Sequence, residues 1–429
     1  MKTPKIYKNS TGLNYLLYSS SDLVTATILV LVKTGTDYEN KKNNGISHFI
    51  EHLFFKGTQN FPSPQELSLE LDKIGAEYNA FTSYEYTGYY IKTLPEYLER
   101  AIYLMSDMLI NPLFDQKELE KERKVIFEEI NFHYDTPYSF IFDEALKLSY
   151  EDQPAGWSIL GTQQSLKNIN HEQIKNYFQN HYSTKNTLVV VVGNFNFQKI
   201  IKYLNKYFAK YNNKKSPLKH KFQETPFRPK LKIIKRENIK QTHLIMLFKT
   251  RGLSFLKEKR FSLGLLTSLL GYGFSSRMFK ILREEMGITY YVKVNDDLYT
   301  DRGYLYIQTG STIDKTPQTI EKIINEINLL KKQKIDEEEI QKSKALLESS
   351  LLSTAESSLS IGLFYGLEYL LQNKIHSPLY FLSNIKKITE NDLKKEIYNY
   401  LNKQNLVSVV LSPQNFKKEQ LIKIINNLN

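Results

Sequence analysis

His48-Phe49-Ile50-Glu51-His52 is the stretch that decides how this chain is read. Two imidazoles stand four residues apart, and a carboxylate immediately precedes the second. On a helix, residues i and i+4 share a face, so His48 and His52 can grip one metal ion together. Glu51 follows His48 by three positions, close enough to that face to reach a water at the metal. The order is H-x-x-E-H, the inverse of the more familiar H-E-x-x-H zinc helix. A catalytic zinc usually has three protein ligands and one open position, and the pentapeptide supplies two. The third is expected on a helix from Gln116 to His133, which carries Glu118, Glu120, Glu122, Glu128 and Glu129. Counting alone does not choose among them.

Composition narrows the classes available. At 429 residues the chain exceeds one ordinary core, and two to four domains of roughly 100–200 residues are expected. An apolar share of 41% supports several cores and argues against disorder. The absence of cysteine excludes disulfides, thiolate metal sites and cysteine nucleophiles. The net charge of +12 comes largely from scattered lysines. Its densest run (Lys214, Lys215, Lys219, Lys221, Arg228, Lys230, Lys232, Lys235, Arg236) also contains Pro217, Pro226 and Pro229, and reads as an exposed connector. Nucleic acid is therefore not expected as a partner. No segment reaches the roughly 18–20 apolar residues that span a bilayer. The N-terminus, Met1-Lys2-Thr3-Pro4-Lys5, lacks the apolar stretch of a signal peptide and the Arg-rich pattern of a transit sequence. A soluble, cytoplasmic protein without membrane attachment is the expectation.

The chain repeats itself once per half. Ile169-Asn170-His171-Glu172-Gln173-Ile174 parallels Ile388-Thr389-Glu390-Asn391-Asp392-Leu393, and each opens an amphipathic helix followed by a strand, Leu188–Val192 or Leu406–Val410. Phe114-Asp115-Gln116-Lys117-Glu118-Leu119 parallels Ile335-Asp336-Glu337-Glu338-Glu339-Ile340. All these pairs lie about 220 positions apart, a period that signals duplicated domains rather than a solenoid. The expected boundaries are 1–211, a basic linker at 212–230, and 231–429. In the first half, Asp22 to Lys33 reads as a strand. Ser63 and Pro64 start a helix to Ile74, and Glu77–Phe81 and Tyr84–Thr93 read as neighbouring strands. The second half echoes this, with strands at about 231–250 and 288–310 and helices at 257–285, 315–333 and 336–373. The expected fold is α+β: two homologous domains, each a mainly antiparallel sheet with helices packed on one face.

Gly45-Ile46-Ser47-His48-Phe49-Ile50-Glu51-His52-Leu53 resembles the metal helix of the pitrilysin/insulinase family of inverted-motif zinc peptidases, which includes the β subunit of mitochondrial processing peptidase. The resemblance extends over both halves. In that family the third ligand is a Glu on a later helix, and Glu129, 77 positions past His52, matches it. Glu122, two turns earlier on the same face, resembles the family's supporting glutamate. The resemblance thus implies one Zn2+ per chain on His48, His52 and Glu129, with Glu51 as general base. Asn79-Ala80-Phe81-Thr82-Ser83 resembles the family's edge strand, where Asn79, Ala80 and Phe81 would receive an extended peptide. Leu282-Arg283-Glu284-Glu285-Met286-Gly287-Ile288-Thr289-Tyr290 resembles the segment whose Arg and Tyr contact substrate opposite the metal, implying those roles for Arg283 and Tyr290. At the same offset as Asp115 and Asp336, the positions of Glu122 and Glu129 are held by Ser343 and Ser350, so no second metal site is expected.

The family encloses its substrate within four such α/β units, and this chain has two. The resemblance therefore implies a zinc-dependent endopeptidase of peptides or unfolded segments that works as a dimer. A homodimer is expected, because metal ligands and the Arg/Tyr pair share one chain; a heterodimer with a related subunit is the fallback. The alternative is a catalytically inactive structural or partner subunit of a processing-peptidase-like complex. The intact His48, Glu51, His52 and Glu129 weigh against that alternative.

Overall fold

Runs of β-branched and aromatic residues build two sheets of the same design. The computed structural model describes residues 3–287, 289 and 291–429. The strands of the first sheet are β1 (Lys5–Lys8), β2 (Asn14–Ser19), β3 (Ala26–Val32), β4 (Glu77–Thr82), β5 (Thr87–Thr93) and β6 (Thr187–Gly193). They stand in the order β1-β2-β6-β3-β5-β4. Only β2 and β6 run parallel; the other neighbours are antiparallel. The second sheet has β7 (Lys230–Lys235), β8 (Thr242–Arg251), β9 (Val292–Leu298), β10 (Arg302–Ser311) and β11 (Leu406–Ser412), in the order β7-β11-β8-β10-β9. Its single parallel pair is β7 with β11. Strand for strand this repeats the order β2-β6-β3-β5-β4, so the duplication read from the sequence is present in the topology.

The helices of the first half cover one face of the first sheet. Their core joins Phe49, Leu104, Met108, Ile126 and Ile174 to Ile28, Val30, Val189 and Val191 of the strands. The other face is also covered. Leu29, Leu31, Val190 and Val192 meet Ile361 and Tyr365 of the helix Ser358–Gln372, which belongs to the second half of the chain. This explains why β3 and β6 are buried along their whole length and read as continuous apolar runs rather than alternating ones. In the second sheet, Leu305 and Ile307 face that half's own helices. Tyr304 and Tyr306, on the opposite face by the two-residue period, receive Phe142 from the first-half helix Pro137–Tyr150 at 5.9 and 5.1 Å between rings.

The chain accordingly divides into two compact units that do not follow chain order. One is Met1–Phe132, Trp157–Lys221 and Leu352–Pro378; the other is His133–Gly156, Phe222–Leu351 and Leu379–Asn429. The one-sided layer expected from the sequence describes each sheet's own helices, and the second face is closed by a helix exchanged from the other half. The expected continuous helix over 336–373 is two helices, Glu337–Ser353 and Ser358–Gln372, separated by a tight turn at Thr354–Glu356. Among the described residues no helix is long and apolar enough to cross a membrane.

Candidate metal centre

The helix Ile46–Leu53 lies on the first sheet with its apolar residues Ile46, Phe49, Ile50 and Leu53 in the core. That fixes the opposite stripe, His48 and His52, toward the helix Gln116–Asp135. Leu119 and Ile126 anchor this second helix in the same core, and Glu122 and Glu129 point at the histidines. Nε2 of His48 stands 3.6 Å and Nε2 of His52 stands 3.4 Å from Oε2 of Glu129. Among the described residues, His48, His52 and Glu129 are the one group of three whose ligand atoms converge, all within 4.8 Å of one another. Tetrahedral ligands at 2.0–2.1 Å from a zinc ion lie about 3.4 Å apart. The two nitrogen–oxygen separations fit that spacing. Two imidazoles and a carboxylate also form a donor set that zinc takes. The other carboxylates of the helix go elsewhere: Glu118 pairs with Lys121 at 2.5 Å, Glu120 with Arg123 at 3.1 Å, and Glu128 is exposed.

The two histidines of the cluster have different supports. Glu122 is buried and faces Nδ1 of His52 at 3.1 Å. Its other oxygen meets Lys56 at 2.8 Å. Burial pushes Glu122 up, but His52 and Lys56 outweigh it and hold its carboxyl below the usual range. Burial also opposes charge on His52, yet Glu122 and Glu129 raise its pKa to about 9. His48, desolvated and beside His52, falls to about 4. Nδ1 of His48 is buried without a hydrogen-bond partner. Lys56 lies three residues past the end of the helix at Leu53, so helical spacing does not point to it.

Glu51 lies beside the cluster and outside it. Oε2 of Glu51 accepts a 2.5 Å hydrogen bond from the Thr82 hydroxyl at the end of β4. Burial raises its pKa above the ordinary carboxylate value, and the Thr82 bond acts against that rise. Thr82 is a site residue that the sequence reading passed over. Its signal is the two-residue period, which puts it on the same face of β4 as Ala80.

β4 is an edge strand of its sheet, β1 being the other. Asn79 and Phe81 point to one face of it and Ala80 to the other. Ala80 packs against the core that holds the metal helix, whereas Phe81 packs against the core on the opposite face. The Ala80 N–H is already held by the Asn79 side-chain oxygen at 2.8 Å. Arg283 is exposed on the π-helical turn Lys280–Glu285, its guanidinium 5.0 Å from the Phe279 ring. Tyr290 lies outside the described residues. Its neighbour Thr289 is tied to Thr309 of β10 at 2.8 Å.

The connector is irregular from 212 to 229, and Lys230 already opens β7; cations along this stretch are paired within their own units. Lys219 meets Glu85 at 2.6 Å and Lys230 meets Glu151 at 2.7 Å.

An α+β repeat with an inverted His/Glu/His helix and a distant Glu defines a zinc-protease-like chain, and comparison with known proteins gives the same class. Residues 15–163 match the insulinase (peptidase family M16) profile and residues 168–347 match the peptidase M16 inactive domain. An uncharacterized zinc protease of Bacillus subtilis, YmxG, is 34% identical over 82% of this chain and 85% of its own length. The mitochondrial-processing peptidase subunit beta of Saccharomyces cerevisiae is 30% identical over 86% of this chain and 82% of its own. The crystal structure of a protease from Helicobacter pylori superposes with a TM-score of 0.90 at 23% identity, covering 96% of this chain and 100% of that one. The chain belongs to the insulinase family, peptidase family M16.

Proposed function

We propose that this chain is a zinc-dependent endopeptidase that hydrolyses peptides or unfolded segments. The observation that carries the reading is the convergence of His48, His52 and Glu129 with a separate carboxylate, Glu51, held beside them. His48, His52 and Glu129 would hold the zinc, which supplies Lewis-acid polarisation of a peptide carbonyl and acidifies water. Glu51 takes a proton from the attacking water and returns it to the leaving amine. Its elevated basicity in a desolvated setting suits that task. Thr82 fixes one oxygen of Glu51 and leaves the other for the transfer. Glu122 and Lys56 orient His52.

Substrate adds to the free edge of β4 as an extended strand, through the backbone at Asn79, Ala80 and Phe81. It must first displace the Asn79 side chain from the Ala80 N–H. Arg283 and Tyr290 hold substrate carbonyl oxygens, and they do so across a dimer, each chain serving its partner's metal site. The names of the relatives support the zinc-protease reading over that of an inactive subunit. The test is digestion of a mixed peptide library. Wild type is expected to cleave, chelator to abolish cleavage, and Glu51→Gln to retain zinc while losing activity by several orders of magnitude. Undiminished cleavage by Glu51→Gln removes Glu51 as the base.

A further inference from the structure

We infer that Glu39 is the positioning residue for His48, acting through the first turn of the metal helix; this rests on His48, His52 and Glu129 being a metal site. The two histidines are supported unequally. The ring of His52 is oriented by Glu122 through Nδ1. Among the described residues the ring of His48 has no such contact, its Nδ1 being buried and unpartnered. Beyond its edge-on packing against the His52 ring at 4.6 Å, the place of His48 is set through its backbone, and the backbone at that point is held by Glu39.

The helix Ile46–Leu53 begins after Gly45, whose φ of 93° lies in the left-handed region and whose lack of a side chain leaves the first turn without a cap of its own. Glu39 supplies one from six residues upstream. Its Oε2 accepts from the Gly45 N–H at 2.8 Å and from the Asn44 amide at 2.9 Å. Its Oε1 accepts from the Ser47 N–H at 2.9 Å, one residue before His48. The side chain is wholly buried. Burial holds its pKa above the ordinary carboxylate value, and these hydrogen bonds act against that rise without reversing it. Backbone N–H groups can only donate, so both Glu39 oxygens serve here as acceptors, at a helix N-terminus that favours negative charge.

The surroundings leave the turn no freedom. A Cβ on Gly45 would lie 2.8 Å from the Leu160 carbonyl oxygen, and one on Gly161 would lie 2.4 Å from that of Asn44. The Asn44 amide donates to the Ser158 carbonyl at 3.1 Å, and the Ser165 hydroxyl donates to the Asn44 carbonyl at 2.8 Å. The Ser47 hydroxyl meets the Tyr177 hydroxyl at 3.0 Å. Glu39 thus does for His48 through the main chain what Glu122 does for His52 through the ring.

Glu39→Gln tests this in the full-length protein, because the amide group replaces one acceptor with a donor facing donors. Co(II) serves as the probe: its dissociation constant is read by chelator competition and its ligand-field absorption from the bound form, with thermal unfolding of the metal-free protein alongside. The expected result is about 10–100-fold weaker Co(II) binding, as for loss of other groups that orient ligands, with an altered visible band. An unchanged constant and band overturn the inference, whatever happens to thermal stability. If Glu39→Gln does not fold, Asn44→Ala removes one donor from the same carboxylate and is expected to weaken Co(II) binding severalfold; an unchanged constant again overturns it. A wild type that takes up no Co(II) refutes the metal-site reading and this inference together. A wild type and Glu39→Gln that bind equally refute the inference alone.

Discussion

Thr82 shows how one hydroxyl can join two parts of a site. It ends the edge strand and donates to Glu51, so a strand suited to receive a peptide and the carboxylate suited to act on it share a hydrogen bond. A hydrogen bond to a charged group contributes about 1.5–3 kcal/mol, and 1.4 kcal/mol is a factor of ten. Thr82→Val is expected to lower kcat about tenfold while zinc content stays at one per chain, checked by steady-state kinetics with metal analysis. A second residue-scale effect concerns pH. His181 is buried, stacks on Tyr177 at 3.7 Å between rings, and is driven by burial to about 4. In the unfolded chain it titrates at about 6.5. Between those values the unfolded state binds the extra proton, so stability is complete above about 6.5 and falls as pH drops towards 4. Urea unfolding of wild type at about pH 5 against about pH 7.5 should show an added loss of up to about 2 kcal/mol that His181→Gln lacks.

At the scale of elements, the exchanged helices matter most. Helix Ser358–Gln372 presents Gly362 and Gly366 to the strands, and a Cβ on Gly366 would come 2.7 Å from Leu31 Cδ1. The helix and sheet are in direct contact because the helix surface is bare there. A fragment of residues 1–221 therefore lacks part of its own unit and exposes Leu29, Leu31, Val190 and Val192. It is expected to aggregate or to bind a hydrophobic dye, and co-expression with residues 222–429 is expected to restore solubility; a soluble, cooperatively folded fragment alone would contradict this. Sequence reading reached the repeat, the metal helix and the strands flanking it, because each has a local signal: a spacing, a cap, an apolar period. The run Leu188-Val189-Val190-Val191-Val192 is apolar on both faces, which the expectation of helices on one face did not take up. Nothing local says which helix covers it, since helix Ser358–Gln372 stands far away in the chain. Thr82 escaped because its partner Glu51 stands 31 residues away, and Glu39 because no motif marks a helix cap supplied from upstream.

At the scale of the whole molecule, the two halves carry different equipment on one plan. The His48, His52 and Glu129 cluster lies in the first repeat, and Ser343 and Ser350 stand where a second such cluster would need carboxylates. Arg283 lies in the second. If each chain completes its partner's site, mixing inactive Arg283→Ala with inactive Glu51→Gln should restore part of the peptidase activity, because a mixed dimer contains one intact pairing. Absence of any rescue, with mixed dimers shown to form, would place the whole site within one chain.

Helix exchange also sets a timetable for synthesis. The last strand of the first sheet ends at Gly193, but the helix that seals its second face ends at Gln372. At about 5–20 residues per second, a ribosome needs roughly 10–40 s to make the intervening stretch. Throughout that interval the nascent sheet displays an uncovered apolar surface, so this protein should depend on chaperone attendance during translation far more than a chain of equal length whose halves fold in order.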